Sequence, residues 1–199
     1  MIETLVAWDH TVFHYINTVW THPALDWFFS NWTDLHKTPV FRFGILPVIL
    51  LIVFWRYRWK GLAAIPFVAI AVGFNDGFCG KILKAYFERA RPPLVGIEAI
   101  VRAPHYGGYS FPSNHASNMF CLAVFVGIYF PRARGIFLTI AALTAYSRVY
   151  CGVHFPSDVI AGALIGSFVG WGAAQALKPL WRRVEARVGR AQAEDARHV

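Results

Sequence analysis

Charged residues are scarce in this chain, and those present are mostly of one sign. Asp, Glu, Lys and Arg make up 15% of the 199 residues, against roughly 25% in soluble globular proteins. Because 56% of the residues are hydrophobic and the mean hydropathy is +0.42, a typical soluble domain is excluded. The net charge of +8 falls in short clusters between apolar runs. This distribution favours anionic lipid headgroups over nucleic acid as a partner.

Cysteine is also scarce, which bears on metal sites and disulfides. The three cysteines, Cys79, Cys121 and Cys151, are an odd number, and no Cys/His spacing is typical of a zinc site. We expect them to be buried packing residues, since free cysteine behaves as a small hydrophobic side chain. A cleavable signal peptide is not apparent, because Glu3 and Asp9 stand where a signal carries basic residues. Neither observation points to a metal ion or another cofactor.

The hydrophobic residues form segments whose lengths suit membrane helices. Five segments are predicted to span the membrane, some near the short end of the roughly 17–25 residues that a span needs. They cover about residues 39–55, 61–83, 113–130, 135–150 and 156–177. Residues 5–20 and 25–35 place apolar side chains on one helical face, which predicts amphipathic helices lying in the interface. The expected fold is all-α: one domain over 1–199, a membrane bundle of five to six spanning helices with interfacial helices in 1–36.

Basic residues predict how this bundle is oriented. The loop Arg56–Lys60, the loop Arg132–Arg134 and the tail from Lys178 hold 11 of the 19 Lys and Arg residues. Five spans put all three segments on the same side, which the positive-inside rule assigns to the cytoplasm. Residues 182–199 are then a basic cytoplasmic tail, and the 88–112 loop and the 151–155 turn face outward.

The first of three polar clusters on the outward face is Lys84, followed by Arg91 and Pro92. Two basic residues seven positions apart lie on one side of a continuous helix, and Pro92 is expected to end that helix or follow its end. Arg offers a planar donor fork that matches phosphate, and Lys a compact charge. The alternative is that both are snorkelling cations at lipid headgroups.

The second cluster, Pro112 to His115, lies where the outward loop enters a span. Ser113 or Asn114 can cap the next helix, whose first amides form an anion site, and His115 would stand in its first turn. The alternative is a plain helix cap followed by an interfacial histidine.

The third cluster contains Ser147, Arg148, His154 and Asp158. The last helix can begin at Pro156, with Asp158 in its first turn. A carboxylate four residues after His154 can hold one imidazole nitrogen and leave the other free to attack. Alone, this pattern is weak. The three clusters together supply the groups needed to bind, attack and protonate a phosphate ester.

These motifs, K-x6-R-P, P-S-x-H and S-R-x5-H-x3-D, resemble the signature of the type 2 phosphatidic acid phosphatase (PAP2) family, which shares its site with vanadium haloperoxidases and glucose-6-phosphatase. The resemblance implies that His154 forms a phosphohistidine, that Asp158 orients it and that His115 is the general acid. The implied phosphate ligands are Lys84, Arg91, Ser113, Arg148 and the backbone amide of Asn114. No metal ion is implied, because cations and amides neutralise the phosphate oxygens.

Two positions leave questions open. Asn114 stands where the family usually has glycine, and its side chain intrudes where glycine leaves room, which bears on the fit of the substrate. Asp76 either pairs with a motif cation or bonds a neighbouring helix. Specificity is expected to reside in the 93–111 loop and in a groove between spans. The loop residues expected to touch a headgroup are Arg102, His105, Tyr106 and Tyr109.

The resulting hypothesis is a lipid phosphatase of the bacterial inner membrane with its site facing the periplasm or the exterior. Undecaprenyl pyrophosphate and phosphatidylglycerophosphate are the first substrates expected, with lipid A and phosphatidate as alternatives. A non-catalytic lipid-phosphate-binding protein is disfavoured because His154, His115 and Asp158 are all present. A vanadate-dependent peroxidase is disfavoured by the number of spans. The expected partners are membrane lipids and a lipid phosphate, and the oligomeric state is not predicted.

Overall fold

A computed structural model describes residues 2–104 and 106–195, in which only helices, turns and loops occur. The α-helices in this part of the chain are α1 Ile2–His14, α2 Pro23–Trp32, α3 Leu46–Gly77, α4 Lys84–Phe87, α5 Asn114–Tyr129, α6 Arg134–Tyr150 and α7 Pro156–Asp195. Short π-helical turns continue α1 over Tyr15–Val19 and flank α3 at Val40–Ile45 and Phe78–Leu83. The predicted all-α fold is confirmed.

Three described segments are long and apolar enough to cross a membrane: Val40–Arg58, Lys60–Leu94 and Pro156–Arg187. The other two predicted spans correspond to α5 and α6, which have 16 and 17 residues. Arg58 divides α3, because its φ of 54° and ψ of −146° leave helical geometry. The break falls inside the basic loop that the sequence predicted between the first two spans.

Helix α5 lies at the centre of the bundle and packs against α3, α6 and α7. Its contact with α7 is close because glycines on α7 face the α5 backbone, as small residues do in membrane helix pairs. A Cβ added to Gly166 would lie 2.0 Å from the carbonyl oxygen of Ser117, so no larger residue fits. The same contact brings the two helix starts together, where the Ser113 amide donates to the Asp158 carbonyl at 3.1 Å.

The basic segments meet at one end of the bundle, away from the start of α5. The Tyr57 and Phe130 rings are 4.9 Å apart, and the Phe130 and Trp181 rings are 6.1 Å apart. Lys60 pairs with Glu185 at 2.9 Å. The tail prolongs α7 as far as Asp195, and residues 196–199 lie outside the described part of the chain.

The N-terminal helices cover the opposite end of the bundle, with polar side chains buried and apolar side chains exposed. In α1 and its π-turn, Asp9 and Asn17 are buried while Leu5 and Trp8 are exposed. Asn17 donates to the carbonyls of Ile100 and Tyr150 at 2.9 and 2.8 Å, so it fixes the outward loop. Buried polar groups beside exposed apolar ones suit a helix whose outer face meets lipid. The three cysteines are buried and free, as predicted.

Candidate active site

His154 lies in the turn between α6 and α7 and is only 2% exposed. Its Nδ1 is 3.4 Å from Oδ2 of Asp158, and its Nε2 is 3.1 Å from Nη1 of Arg91. Since a guanidinium only donates, Nε2 must accept, so the ring proton resides on Nδ1. Burial lowers the pKa of His154 to about 3, against the opposing effect of Asp158. The imidazole is therefore neutral at pH 7, with its lone pair directed at a cation.

Asp158 lies in the first turn of α7, as predicted, and its carboxylate is fully buried. It accepts from Nη1 of Arg89 and from the Phe155 amide at 2.7 and 2.8 Å, and from the Ser110 hydroxyl. A buried carboxylate is tolerated only when its lone pairs are satisfied in this way. The orientation of His154 thus rests on a fully bonded acid.

The prediction that Lys84 and Arg91 share a continuous helix is wrong. Helix α4 ends at Phe87, and Glu88 has a left-handed φ of 45°. Arg91 follows with an extended backbone, φ −81° and ψ 159°. A helix continuing to Arg91 would carry it about 10 Å along the axis from Lys84. The turn instead brings the guanidinium across to His154, where Nη1 lies 3.1 Å from Nε2.

The two cations of the first motif also hold the outward loop. Arg91 donates from Nε to the Gly108 carbonyl at 3.0 Å and from Nη2 to the Gly107 carbonyl at 2.8 Å. Lys84 donates to the carbonyls of Tyr109 and Ser110. Residues 107–110 therefore lie over the same cations that were predicted to bind phosphate. Only Nη1 of Arg91 is directed at His154.

His115 lies in the first turn of α5, as predicted, and its side chain is 22% exposed. Its Nε2 is 3.2 Å from Oδ1 of Asp34. The same carboxylate oxygen is 2.8 Å from Nζ of Lys37 and 3.8 Å from Nη1 of Arg148. Arg148 also donates to the Thr33 hydroxyl at 2.6 Å. The turn after α2 thus contacts residues of both the second and the third motif.

Two buried donors predicted to bind phosphate have no hydrogen-bond partner among the described residues: Oγ of Ser113 and Nε of Arg148. Ser113 occupies the N-cap position of α5, but its side chain makes no capping bond. The Ser113 amide donates to the Asp158 carbonyl at 3.1 Å and the Val153 amide donates to the Arg148 carbonyl at 3.2 Å, so both residues adjoin the segment that holds His154. Since buried polar groups are nearly always paired, these donors fit an anion beside His154.

Asn114 and Asp76 interact with each other rather than with the motif cations. Asn114 Nδ2 donates to Oδ1 of Asp76 at 3.1 Å, and Asn118 Nδ2 donates to the same atom at 2.7 Å. Asp76 therefore bonds a neighbouring helix, which was one of its two predicted roles. The Asn114 side chain points at α3, and a Cβ on Gly80 would lie 2.7 Å from its nitrogen.

The only geometry among the described residues that resembles a metal site involves Asp34, His36 and His115. Their ligand atoms lie within 4.8 Å of one another. Lys37 and Arg148 both approach the same carboxylate, so a metal ion would meet two positive charges there. Burial, with the Lys37 charge, lowers the pKa of His36. This cationic environment suits an anion better than a cation.

Arg102, one of the loop residues expected to touch a headgroup, bonds to groups within the protein. Its Nε pairs with Asp26 at 2.8 Å, and its Nη1 donates to the Asn17 carbonyl at 2.8 Å. Tyr106 and Tyr109 remain exposed, while His105 lies outside the described residues. A groove between α3 and α7 has a volume of about 540 Å³ and is lined by Phe74, Phe78, Leu164, Ile165, Phe168 and Val169.

Sequence reasoning gave no role to four residues that support the two histidines. They are Asp9, Asp34, Arg89 and Ser110. Asp9 accepts from the Ser157 amide at 2.8 Å and from Nη2 of Arg89, which itself contacts Asp158. The only available signal was that charged residues beside apolar helices are costly and therefore functional by default.

Comparison with known proteins shows the family to which the chain belongs. Residues 62–182 match the family model described as PAP2 superfamily. A lipid A 4'-phosphatase of Bacteroides thetaiotaomicron is 34% identical over 179 residues, which are 86% of this chain and 77% of that protein.

Two solved structures share the fold. One is LpxE of Aquifex aeolicus, with a TM-score of 0.58 and 28% identity, covering 83% of this chain and 93% of that one. The other is a PAP2 type phosphatidylglycerolphosphate phosphatase of Bacillus subtilis, with a TM-score of 0.60 and 26% identity, covering 88% of this chain and 87% of that one. The matched range holds all three motifs. The chain therefore belongs to the PAP2 superfamily, as a membrane phosphatase with an all-α fold.

Proposed function

We propose that the protein removes a phosphate group from a membrane lipid through a phosphohistidine at His154, without a metal ion. The observation that carries the proposal is the environment of Nε2. The nitrogen that would attack is neutral, lacks a proton, and lies 3.1 Å from a guanidinium. An anion drawn to Arg91 is thereby brought to the nucleophilic atom.

In the first step the Nε2 lone pair attacks phosphorus and the bond to the leaving oxygen breaks. His154 becomes positively charged, and Asp158 stabilises that charge through Nδ1–H, as in other nucleophile–base–orienter arrangements. Ser113 Oγ, Arg148 Nε and the Asn114 amide supply donors to the phosphoryl oxygens. Electrostatic stabilisation of this kind, fixed before the reaction, replaces the charge that a metal ion would provide.

His115 is proposed to protonate the leaving oxygen, since it stands at the start of the same helix as Ser113. In the second step a water attacks the phosphohistidine, the P–N bond breaks, and His115 accepts the proton from that water. The enzyme then returns to its starting protonation state.

The substrate that the observations favour is a lipid A phosphate. The lipid A 4'-phosphatase relative is 34% identical and is matched over 86% of this chain and 77% of its own length. This moves lipid A ahead of the two substrates first expected from the motifs. Phosphatidylglycerophosphate remains the second choice because of the B. subtilis structure. The apolar groove between α3 and α7 suits an acyl chain in either case.

The site is proposed to face the periplasm. The three basic segments meet at the end of the bundle opposite to His154 and His115, and basic loops mark the cytoplasmic side. A lipid in the outer leaflet of the inner membrane could then reach the site from the side.

Phosphate release from purified protein in detergent tests this proposal. The panel is lipid A, phosphatidylglycerophosphate, undecaprenyl pyrophosphate and phosphatidate, each measured with and without excess chelator. We expect the fastest release from lipid A, no effect of chelator, and inhibition by vanadate, which mimics the five-coordinate phosphorus.

The control is His154→Ala, which retains the cations and so retains lipid binding. Release from none of the four lipids by the unaltered protein would contradict the proposed function. Complete loss of activity in chelator, restored by Mg²⁺, would contradict the metal-free mechanism. Faster release from another lipid would change the substrate and leave the chemistry standing.

A further inference from the structure

Asp34 is a buried carboxylate in the turn between α2 and α3, outside the residues that match the family model. Its exposed fraction is 5%, yet it lies on a surface segment. The residue contacts one motif side chain at hydrogen-bond distance, Nε2 of His115 at 3.2 Å. Its other oxygen, Oδ2, is buried without a hydrogen-bond partner among the described residues.

The pair with Lys37 does not account for this placement. The Lys37 side chain is 45% exposed and lies three residues away on the same turn, and exposed pairs of this kind contribute little to stability. Such a pair forms equally well at the surface. Burying the Asp34 carboxylate costs free energy unless the partners inside use its charge, and those partners are His115 and Arg148.

The carboxylate is ionised at any pH at which the enzyme would work. Burial raises the pKa of Asp34, but hydrogen bonds from His115 and Lys37 and the charge of Arg148 outweigh it, so this pKa lies well below its usual range. The charged and titratable groups that face His115 are Asp34 and His36 from the N-terminal turn and Arg148 from α6. Asp34 supplies the only negative charge among these three.

Burial of the His115 ring and the positive charge of Arg148 disfavour the protonated imidazole, and the fixed negative charge of Asp34 at this distance is what opposes them. A general acid must be protonated before the leaving group departs. A ring held at Nε2 also has a defined orientation, which leaves Nδ1 to face the substrate. The one contact with Asp34 therefore bears on both the charge and the orientation of the His115 ring.

We propose that Asp34 is a positioning residue for His115, holding its Nε2–H so that Nδ1–H is presented, protonated, to the leaving oxygen. This inference rests on the proposed function of the site. The proton on Nδ1 passes to the leaving oxygen as the P–O bond breaks and the bond from His154 to phosphorus forms. Water returns a proton to Nδ1 in the second step, and Asp34 is unchanged throughout.

The test compares Asp34→Asn with the unaltered protein on two esters. One is the lipid phosphate with the highest rate, whose alkoxide leaving group needs a proton. The other is p-nitrophenyl phosphate, whose leaving group needs none. We expect kcat on the lipid to fall by about 10- to 100-fold, with KM nearly unchanged, and kcat on the aryl ester to fall less than about threefold.

The pH profile gives a second readout. Without the carboxylate the protonated ring is less stable, so the fall in kcat with rising pH should begin at a lower pH in Asp34→Asn. Asp34→Glu should restore part of the rate. Lys37→Ala is the matched control, since it removes the other close partner of Asp34 and leaves the contact with His115 in place.

A double-mutant comparison separates positioning from a structural role. In a His115→Ala background, adding Asp34→Asn should cost almost nothing further, because residues that act as a unit are not additive. Thermal unfolding in detergent checks that each variant is folded. An equal loss on both esters, or an unshifted pH profile, would overturn the proposal.

A lower KM with undiminished kcat in Asp34→Asn would also overturn it, and would show that Asp34 competes with phosphate for Arg148. If the unaltered protein released no phosphate from any lipid, the proposed function would fail first. The two failures are therefore distinguishable.

Discussion

The two histidines of the site lie in surroundings of different construction. His154 is 2% exposed and bonded at both ring nitrogens by Arg91 and Asp158, residues inside the range that matches the family model. His115 is 22% exposed at its side chain and is held by Asp34 from outside that range. The difference suits the roles proposed for the two rings. A nucleophile gains from a fixed, dry environment, whereas a general acid must face the leaving group and the water that replaces it.

The site thus has two halves, the surroundings of His154 and the surroundings of His115, and residues of the N-terminal segment contact both. Asp34 reaches His115 directly, and Asp9 reaches His154 through Arg89 and Asp158. Arg89 also lies over the Phe155 ring, 4.3 Å from its centroid. Each N-terminal acid therefore contacts one half of the site, and we expect that the two halves can be altered separately.

The largest effect is expected from His154→Ala. Loss of the covalent nucleophile removes the reaction route, so phosphate release should fall by at least about 10³-fold, while unfolding in detergent is little changed. Release is measured with the lipid that gives the highest rate. Residual turnover above a few percent would mean that another group attacks phosphorus.

Asp158→Asn should be severe but milder, with a loss of about 10²-fold or more in kcat, because the amide no longer fixes the Nδ1–H tautomer. The measurement is single-turnover phosphate release, which isolates the chemical step. Unchanged activity would remove Asp158 from the site and would leave the buried contacts of its carboxylate without a catalytic purpose.

Asp9→Asn tests whether the N-terminal helix supports the nucleophile half. The amide keeps fewer bonds to Arg89 and Ser157, so His154 should be less well held and kcat should fall on the order of tenfold. Glu3→Gln, an exposed acid on the same helix, is the matched control and should be neutral. A loss in Asp9→Asn that falls only on esters with poor leaving groups would contradict the division into two halves.

Gly166→Ala tests the helix contact that joins the halves. Its added Cβ would meet the Ser117 carbonyl oxygen at 2.0 Å, so α5 must move from α7 at a cost of about 1–3 kcal/mol in the free energy of unfolding. Gly172→Ala on the same helix meets no atom within 4 Å and is the control. Thermal unfolding in detergent measures both. Equal stability of the two variants would contradict the close packing of α5 on α7.

The smallest effect on activity is expected from the cysteine substitutions that test which side of the membrane the site faces. A cysteine replacing Gly107 should react with an impermeant thiol reagent when only the outer membrane is permeabilised. A cysteine replacing Ala133 should react only after lysis of the inner membrane. The three native cysteines are buried and should stay unlabelled. The reverse pattern would put the site in the cytoplasm and exclude outer-leaflet substrates.

Local patterns in the sequence predicted the all-α fold and the start of the last helix well. Pro156 begins α7 and Asp158 lies in its first turn, because proline and an acid suit a helix start. The run from Lys84 to Arg91 was mispredicted, since nothing in its helical spacing signals the turn at Glu88. The pairing of Arg102 with Asp26 was not predicted, because it depends on where α2 lies in the folded protein.

The sequence by itself determined that this is a membrane-embedded helical protein that carries the PAP2 motifs, because apolar segment length and short motifs are local properties. Only the tertiary structure decided which nitrogen of His154 faces Arg91 and which acids support the two histidines. Asp9 and Ser157 lie 148 residues apart, and Asp34 and His115 lie 81 apart. Contacts over such separations follow from how the helices pack, and no periodicity along the chain encodes them.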